Sequence, residues 1–263
     1  MFKTYFLMAF YGLKSVFCSC ERETSQGFIN AAKFSKIEKL GVLPKTIREN
    51  SGIEMDSMGH YYLHSDGGNP AVIYRLNSQL ELQEEKTNPL FKNIDWEDVT
   101  YANNQLLLAD IGNNQLQRKV LQLWKSDGSV LHFEYPDNQR FDAEAITSIE
   151  DKIVVFTKSY SQNTKAFNIN PNGTSTEIDS FKFSLAITAA DVSQSGQYLA
   201  LLSYGKIFIF ELKNSVRPFA HPIYCVKTRR KQTEALVFKN ENTLIFSNEQ
   251  GAVYQLAIHR TDI

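Results

Sequence analysis

DWEDVTYANNQLLLADIGNN, residues 95–114, is the stretch whose reading decides the fold. Three acids, Asp95, Glu97 and Asp98, head a short strand-like segment. An apolar run, Leu106–Leu107–Leu108–Ala109, follows and stops on Asp110 and the polar turn Gly112–Asn113–Asn114. Working outward, the same phrase returns in weaker form at Ile53–Glu54, Ala143–Glu144, Ala189–Ala190 and Thr233–Glu234, at spacings of 43 to 47 residues. A period near 45 residues without helical periodicity is that of a propeller blade, one four-stranded unit per repeat.

Within each repeat a second apolar run lies about a dozen residues on. Examples are Tyr61–Tyr62–Leu63, Ile153–Val154–Val155–Phe156, Tyr198–Leu199–Ala200–Leu201–Leu202 and Leu244–Ile245–Phe246. Runs this short and continuously apolar read as strands buried on both faces, as sandwiching between neighbouring blades requires. A third strand follows (AVIYRL from Ala71, VLQLW from Val120, KAFNI from Lys165, KIFIF from Lys206, AVYQLAI from Ala252). Repeats one to four add an outer strand, but only five residues remain after Ile258. The loosely alternating segment 32–43 (Phe34, Ile37, Leu40, Val42) supplies the missing strand and removes two unpaired edges. The sequence therefore predicts an all-β protein: a β-propeller of five four-stranded blades, its ring closed by an N-terminal strand. Six blades is the alternative, should 29–50 form more of a sheet.

The 28 basic and 29 acidic residues nearly cancel, so no whole-molecule field draws in nucleic acid or an anionic membrane. The densest basic run, Arg229–Arg230–Lys231, reads as a solvated loop edge. Residues 1–20 differ in kind. Lys3 is followed by an apolar segment to Leu13, then Lys14, then Ser15–Val16–Phe17–Cys18–Ser19–Cys20. A basic start, a short apolar core and a small residue before cysteine resemble a bacterial lipoprotein signal, with Cys20 as the lipidated residue. The expected organisation is a signal over 1–20, a polar tether over 21–31 and a propeller domain over 32–263. That places the chain outside the cytoplasm, in the periplasm or at the outer membrane, held to lipid only through its anchor. Cys225 is then the lone mature cysteine, a buried small hydrophobe without an intrachain disulfide. The five histidines show no zinc-like spacing.

Several phrases together resemble one bacterial propeller family. They are Leu43–Pro44 with Ser51–Gly52–Ile53, Ser65–Asp66–Gly67–Gly68–Asn69–Pro70, Asp95–Trp96–Glu97–Asp98 and Asp110–Ile111–Gly112–Asn113–Asn114. Tyr135–Pro136–Asp137, Phe141–Asp142–Ala143–Glu144–Ala145, Phe156–Thr157–Lys158, Thr188–Ala189–Ala190–Asp191 and Gln232–Thr233–Glu234–Ala235 continue the series. They resemble the exported propellers related to the SdiA-regulated family, especially the forms of Bacteroidetes-type bacteria. The likeness runs from Leu43 to the C-terminus and departs at His64–Ser65–Asp66–Gly67, where Asn-Asp-Ser-Gly is the expected phrase. It implies the propeller fold and export, and lends no reaction.

Glu54, Glu97, Glu144 and Glu234 share one repeat position in this reading, and a propeller would set them in a ring near one face. Two roles are open. A carboxylate there can accept backbone N–H bonds from the next blade and latch the two together. Alternatively, the carboxylates with Asn carbonyls supply the oxygens that calcium wants. The candidate ligands are Glu97, Asp98, Asp110, Asn113, Glu144 and Glu234, with Arg140 and Lys158 as contacts for an anionic group. The functional expectation is a monomeric binding module of the cell envelope, calcium its sole cofactor, engaging a protein or glycan. The alternative is a metal-dependent hydrolase, phosphoesterase or lactonase-like, acting on a small anionic substrate at the central mouth. No Ser-His-Asp order, nucleophile elbow or phosphate-cradling glycine loop appears.

Overall fold

The computed structural model describes residues 19–213, 217–228 and 232–259. Of the leader expected over 1–20, residues 1–18 lie outside these residues, as does the basic triplet 229–231. The described part is an all-β propeller of five blades. A short helical turn, α1 (Glu21–Thr24), leads to β1 (Ile29–Asn30), a 3-10 turn over Ala31–Lys33, and β2 (Ser35–Val42). Blade 1 is β3 (Asn50–Met55), β4 (Tyr61–Ser65), β5 (Val72–Leu76) and β6 (Leu82–Thr87). Blade 2 is β7 (Trp96–Ala102), β8 (Gln105–Asp110), β9 (Leu121–Lys125) and β10 (Val130–Phe133). Blade 3 is β11 (Ala143–Ile149), β12 (Lys152–Thr157), β13 (Thr164–Ile169) and β14 (Ser175–Phe181). Blade 4 is β15 (Ile187–Val192), β16 (Tyr198–Ser203), β17 (Lys206–Glu211) and β18 (Pro222–Lys227), with β1 added in parallel outside β18. Blade 5 is β19 (Thr233–Asn240), β20 (Thr243–Asn248) and β21 (Ala252–Ile258), and β2 completes it.

The expected closure strand is present. β2 pairs antiparallel with β21 from Ser35 opposite Ile258 to Val42 opposite Ala252. Both edges that an open ring would expose are thereby paired.

Period-two alternation explains the core. In β16, Leu199 and Leu201 face blade 3, while Ala200 and Leu202 face blade 5. Five apolar clusters result, one at each junction between neighbouring blades. The second strand of a blade contributes to two of them, which is why its sequence is apolar throughout. Tight two-residue turns with positive φ at both positions, Asn103–Asn104 and Glu150–Asp151, join inner to second strands in blades 2 and 3. Such turns match the twist of the paired strands.

Two expectations for the N-terminus are corrected. Residues 21–31 are not a tether: Glu23, Phe28 and Ala31 are buried, and Phe28 packs against Phe181, Phe208 and Phe210. Cys20 is not a lipidated residue here, because its sulfur forms a disulfide with Cys225. The pairing spans 205 residues and was invisible in the sequence, since Cys20 stood inside the apparent leader. Among the described residues no helix is long and apolar enough to cross a membrane.

Candidate functional site: the acidic mouth

Every inner strand begins with the same irregularity. The ladder to the second strand slips by one residue at Ser51, Glu97, Glu144, Thr188 and Glu234. These bulges are the true repeat position, with spacings of 46, 47, 44 and 46 residues. Aligning blade 1 on Glu54 and blade 4 on Ala190 is therefore wrong by three and two positions. A bulge is an extra, unpaired residue that re-aims its side chain, and a sequence repeat alone does not reveal it.

Two sets of acids are distinct in place and partner. The latch exists, but Glu54, Asp98 and Asp191 carry it. Glu54 Oε2 accepts the Tyr101 amide of the next blade at 2.9 Å, and Asp191 Oδ2 accepts Phe238 at 2.6 Å. Asp98 Oδ2 accepts Ile146 at 3.0 Å and Ala190 at 3.4 Å, while its Oδ1 accepts Val99. All three are buried. Burial raises Glu54 to about 7 and drives Asp98 and Asp191 well above the carboxylate range, against their backbone bonds. Where a hydroxyl sits at the bulge it joins the blades too: Ser51 Oγ donates to the Glu97 carbonyl at 2.6 Å, and Thr188 Oγ1 to that of Thr233 at 2.7 Å.

Glu97, Glu144 and Glu234 instead open onto the end of the ring where inner strands start and second strands finish. The residues leaving the second strands there include Asp66, Lys158, Tyr204 and Glu249, and those entering the inner strands include Glu49, Asp95 and Asp142. Carboxylate oxygens of Asp66, Asp95 and Glu97 lie within 4.8 Å of one another. Two glycines make the room. A Cβ on Gly112 would fall 2.1 Å from Glu97 Oε1 and 2.4 Å from Asp95 Oδ2; one on Gly67 would fall 2.3 Å from Asp95 Oδ1. Lys158 is the cation of the group, paired with Glu144 and facing the rings of Tyr160 and Tyr204 at 5.9 and 6.0 Å. Tyr204 donates to Glu234 Oε1 at 3.0 Å.

The electrostatics follow from this crowding. Burial, then Asp66, raises Asp95 to about 6, with Arg118 opposing. Burial, then Glu249, raises Glu234 to about 8, and burial with Asp66, Asp95 and Asp142 drives Glu97 well above its ordinary value. Burial alone would lower Lys158, but Tyr160, Glu97, Asp142 and Glu234 outweigh it and the net direction is upward. Lys158 is thus held as an ammonium and is unsuited to act as a free-amine nucleophile.

Half of the expected ligand set is elsewhere. Asp98 is committed to the latch. Asp110 is bonded to Arg118 at 2.7 Å and accepts the Asp95 amide, so it braces a turn. The Asn113 side chain is used up between Arg118 and the Phe141 carbonyl. Of the two basic residues, Arg140 is exposed and donates to the Leu116 carbonyl, and Lys158 is spent on Glu144 rather than open to an anion. Of the named ligands, Glu97 remains, with Glu144 and Glu234 flanking it. The sequence pattern puts Asp95 in the acidic corner with Glu97, but does not single out Asp66, Asp142, Tyr204 and Glu249 as members of the mouth. Their signal was present, one residue past each apolar second strand or just before each inner one.

No protein-family model matches this sequence, and no curated protein matches it. Solved structures share the fold. Virginiamycin B lyase from Staphylococcus aureus superposes with a TM-score of 0.52 at 12% identity, over 86% of this chain and 100% of that one. A luciferin-regenerating enzyme gives 0.54 at 12%, over 85% and 95%. A gluconolactonase from Xanthomonas campestris gives 0.52 at 8%, over 86% and 90%. Identities this low establish a common propeller architecture and nothing about the site.

Proposed function

We propose that this chain is an exported binding propeller whose acidic mouth takes up a divalent cation, calcium by its chemistry, between Asp66, Asp95 and Glu97. One observation carries the reading: three carboxylates converge within 4.8 Å, cradled by two glycines whose Cβ atoms would collide with them. Hard oxygen donors of this kind suit calcium, which tolerates irregular geometry. A bound cation would relieve the repulsion that now raises Asp95 and Glu97. It would also offer an anionic group of a protein or glycan the positive charge that Lys158, tied to Glu144, does not. Export is supported by the Cys20–Cys225 disulfide, since such bonds persist in oxidising compartments. Membership of the SdiA-regulated-like family remains part of this proposal, resting on the phrases quoted above.

A second reading is a metal-dependent hydrolase, lactonase-like or phosphoesterase. Its specific support is Glu234, raised to about 8 and hydrogen-bonded to Tyr204, which would be protonated at neutral pH and able to donate to a leaving group. Thermal melts in chelator and in millimolar calcium test the first reading. The melting temperature should climb with calcium as RT ln(1 + [L]/Kd) grows, and Asp95→Asn should abolish the gain. No shift would remove the cation site. Turnover of a lactone or phosphate ester that is lost in Glu234→Gln would move the choice to the hydrolase.

A further inference from the structure

A second cluster of ligating groups lies where the N-terminal segment meets blade 4. Cys20 and Glu23 are three residues apart on the α1 turn, closed by the Glu23 amide donating to the Cys20 carbonyl, so their side chains share a face. Cys225 reaches them from β18. The two sulfurs and a Glu23 carboxylate oxygen lie within 4.8 Å of one another, and all three residues are buried. Glu23 Oε1 is paired with the equally buried Lys206 Nζ at 2.6 Å, and Lys206 also donates to Ser184 Oγ at 3.0 Å. Glu23 Oε2 has no hydrogen-bond partner. A buried carboxylate oxygen without a donor is costly, and a disulfide has no proton to give it.

We propose that Cys20, Glu23 and Cys225 form a site for a thiophilic divalent cation, zinc by its chemistry, available when the disulfide between the two cysteines is reduced. Reduction by a dithiol breaks the Cys20–Cys225 bond. Two electrons and two protons pass to the protein sulfurs, and the reductant closes its own disulfide. Zinc then displaces the two thiol protons to solvent and takes both thiolates and Glu23 Oε2 as ligands. Zinc binds sulfur at about 2.3 Å and carboxylate oxygen at about 2.0–2.2 Å, so three donors on one ion fit the present separations once the sulfurs part. The charge closes as well. Two thiolates and one carboxylate are offset by the zinc ion and the Lys206 ammonium, leaving a neutral buried group, which a site this enclosed demands. Disulfide and zinc are alternative clasps for the same segment, each fixing residues 20–34 and hence the strand that closes the ring.

Cobalt titration of the full chain carrying Cys18→Ser, reduced with a phosphine, tests this. One equivalent should bind with a near-ultraviolet sulfur-to-cobalt band, which mouth carboxylates cannot produce, and zinc should displace it. The oxidised protein should show no such band, and Glu23→Gln should weaken binding at least about tenfold. Near-ultraviolet circular dichroism reports whether each form is folded. A reduced, folded chain without the band would overturn the proposal. So would Glu23→Gln binding as tightly as its parent, or loss of the folded signal in the presence of zinc.

Discussion

The carboxylate of Asp98 in blade 2 accepts the backbone amide of Ile146 in blade 3 at 3.0 Å, while its sequence neighbour Glu97 points away into the mouth. Adjacent acids thus do opposite work. Asp98→Asn turns one acceptor into a donor facing backbone N–H groups, and we expect a loss of ~1–3 kcal/mol with or without calcium. Glu97→Gln, which removes a repelled charge, should leave the cation-free melting point unchanged or raised, and lose the calcium response. Chemical denaturation of both variants in chelator and in calcium checks the contrast.

The raised carboxyls make stability depend on pH. Glu54 at about 7 and Glu234 at about 8 stand above their ordinary 4.5, so the folded protein holds protons that the unfolded chain releases. Their contribution is complete below 4.5 and is lost as pH rises through 7 and 8. His64 acts the other way: burial lowers it from 6.5 to about 4, so its contribution is complete above 6.5 and fades as pH falls towards 4. The fall in melting temperature should therefore be clearest between pH 6.5 and 8. Calcium should flatten it, and a melting point rising over that interval would contradict these assignments.

Lys158 is the ammonium that Glu144, Glu97 and Glu234 share. Lys158→Met should lower the melting point more at pH 9, above the value of about 8 to which Glu234 is raised, than at pH 5, where Glu234 holds its proton. Scanning calorimetry at the two pH values gives the comparison, and equal losses would mean that Lys158 contributes by packing alone.

Phe28 should behave as a core residue although it precedes the first blade. It is 3% exposed among three phenylalanines of blades 3 and 4. Phe28→Ala is expected to cost roughly 3–5 kcal/mol. Removing residues up to Val42 should in addition expose β21 and promote aggregation, seen as growth in light scattering.

The five-blade ring and its closure strand were legible because both follow from local pattern. Leu106–Leu107–Leu108 and its counterparts are apolar on both faces, and the segment 32–43 alternates loosely through Phe34, Ile37, Leu40 and Val42 as a strand does. The site was legible only in outline. Glu97, Glu144 and Glu234 share one position in the sequence repeat as in the structure, while Ser51 and Thr188 do not stand out there, since a bulge adds a residue without adding a recognisable type. Asp98 and Asp110 look like ligands by composition, yet Asp98 Oδ2 accepts the amide of Ile146 and Asp110 Oδ1 is held by the guanidinium of Arg118.

Sequence by itself determined the repeat, the strand order within each blade and the strand character of 32–43, because periodic burial is written residue by residue along the chain. Tertiary structure alone decided which acids turn into the mouth and which accept amides, and that Asp66 joins Asp95 and Glu97. It also decided that Cys20 meets Cys225 across 205 residues. Those outcomes depend on which groups the closed ring brings within a few ångströms, and no local pattern encodes a distance between blades.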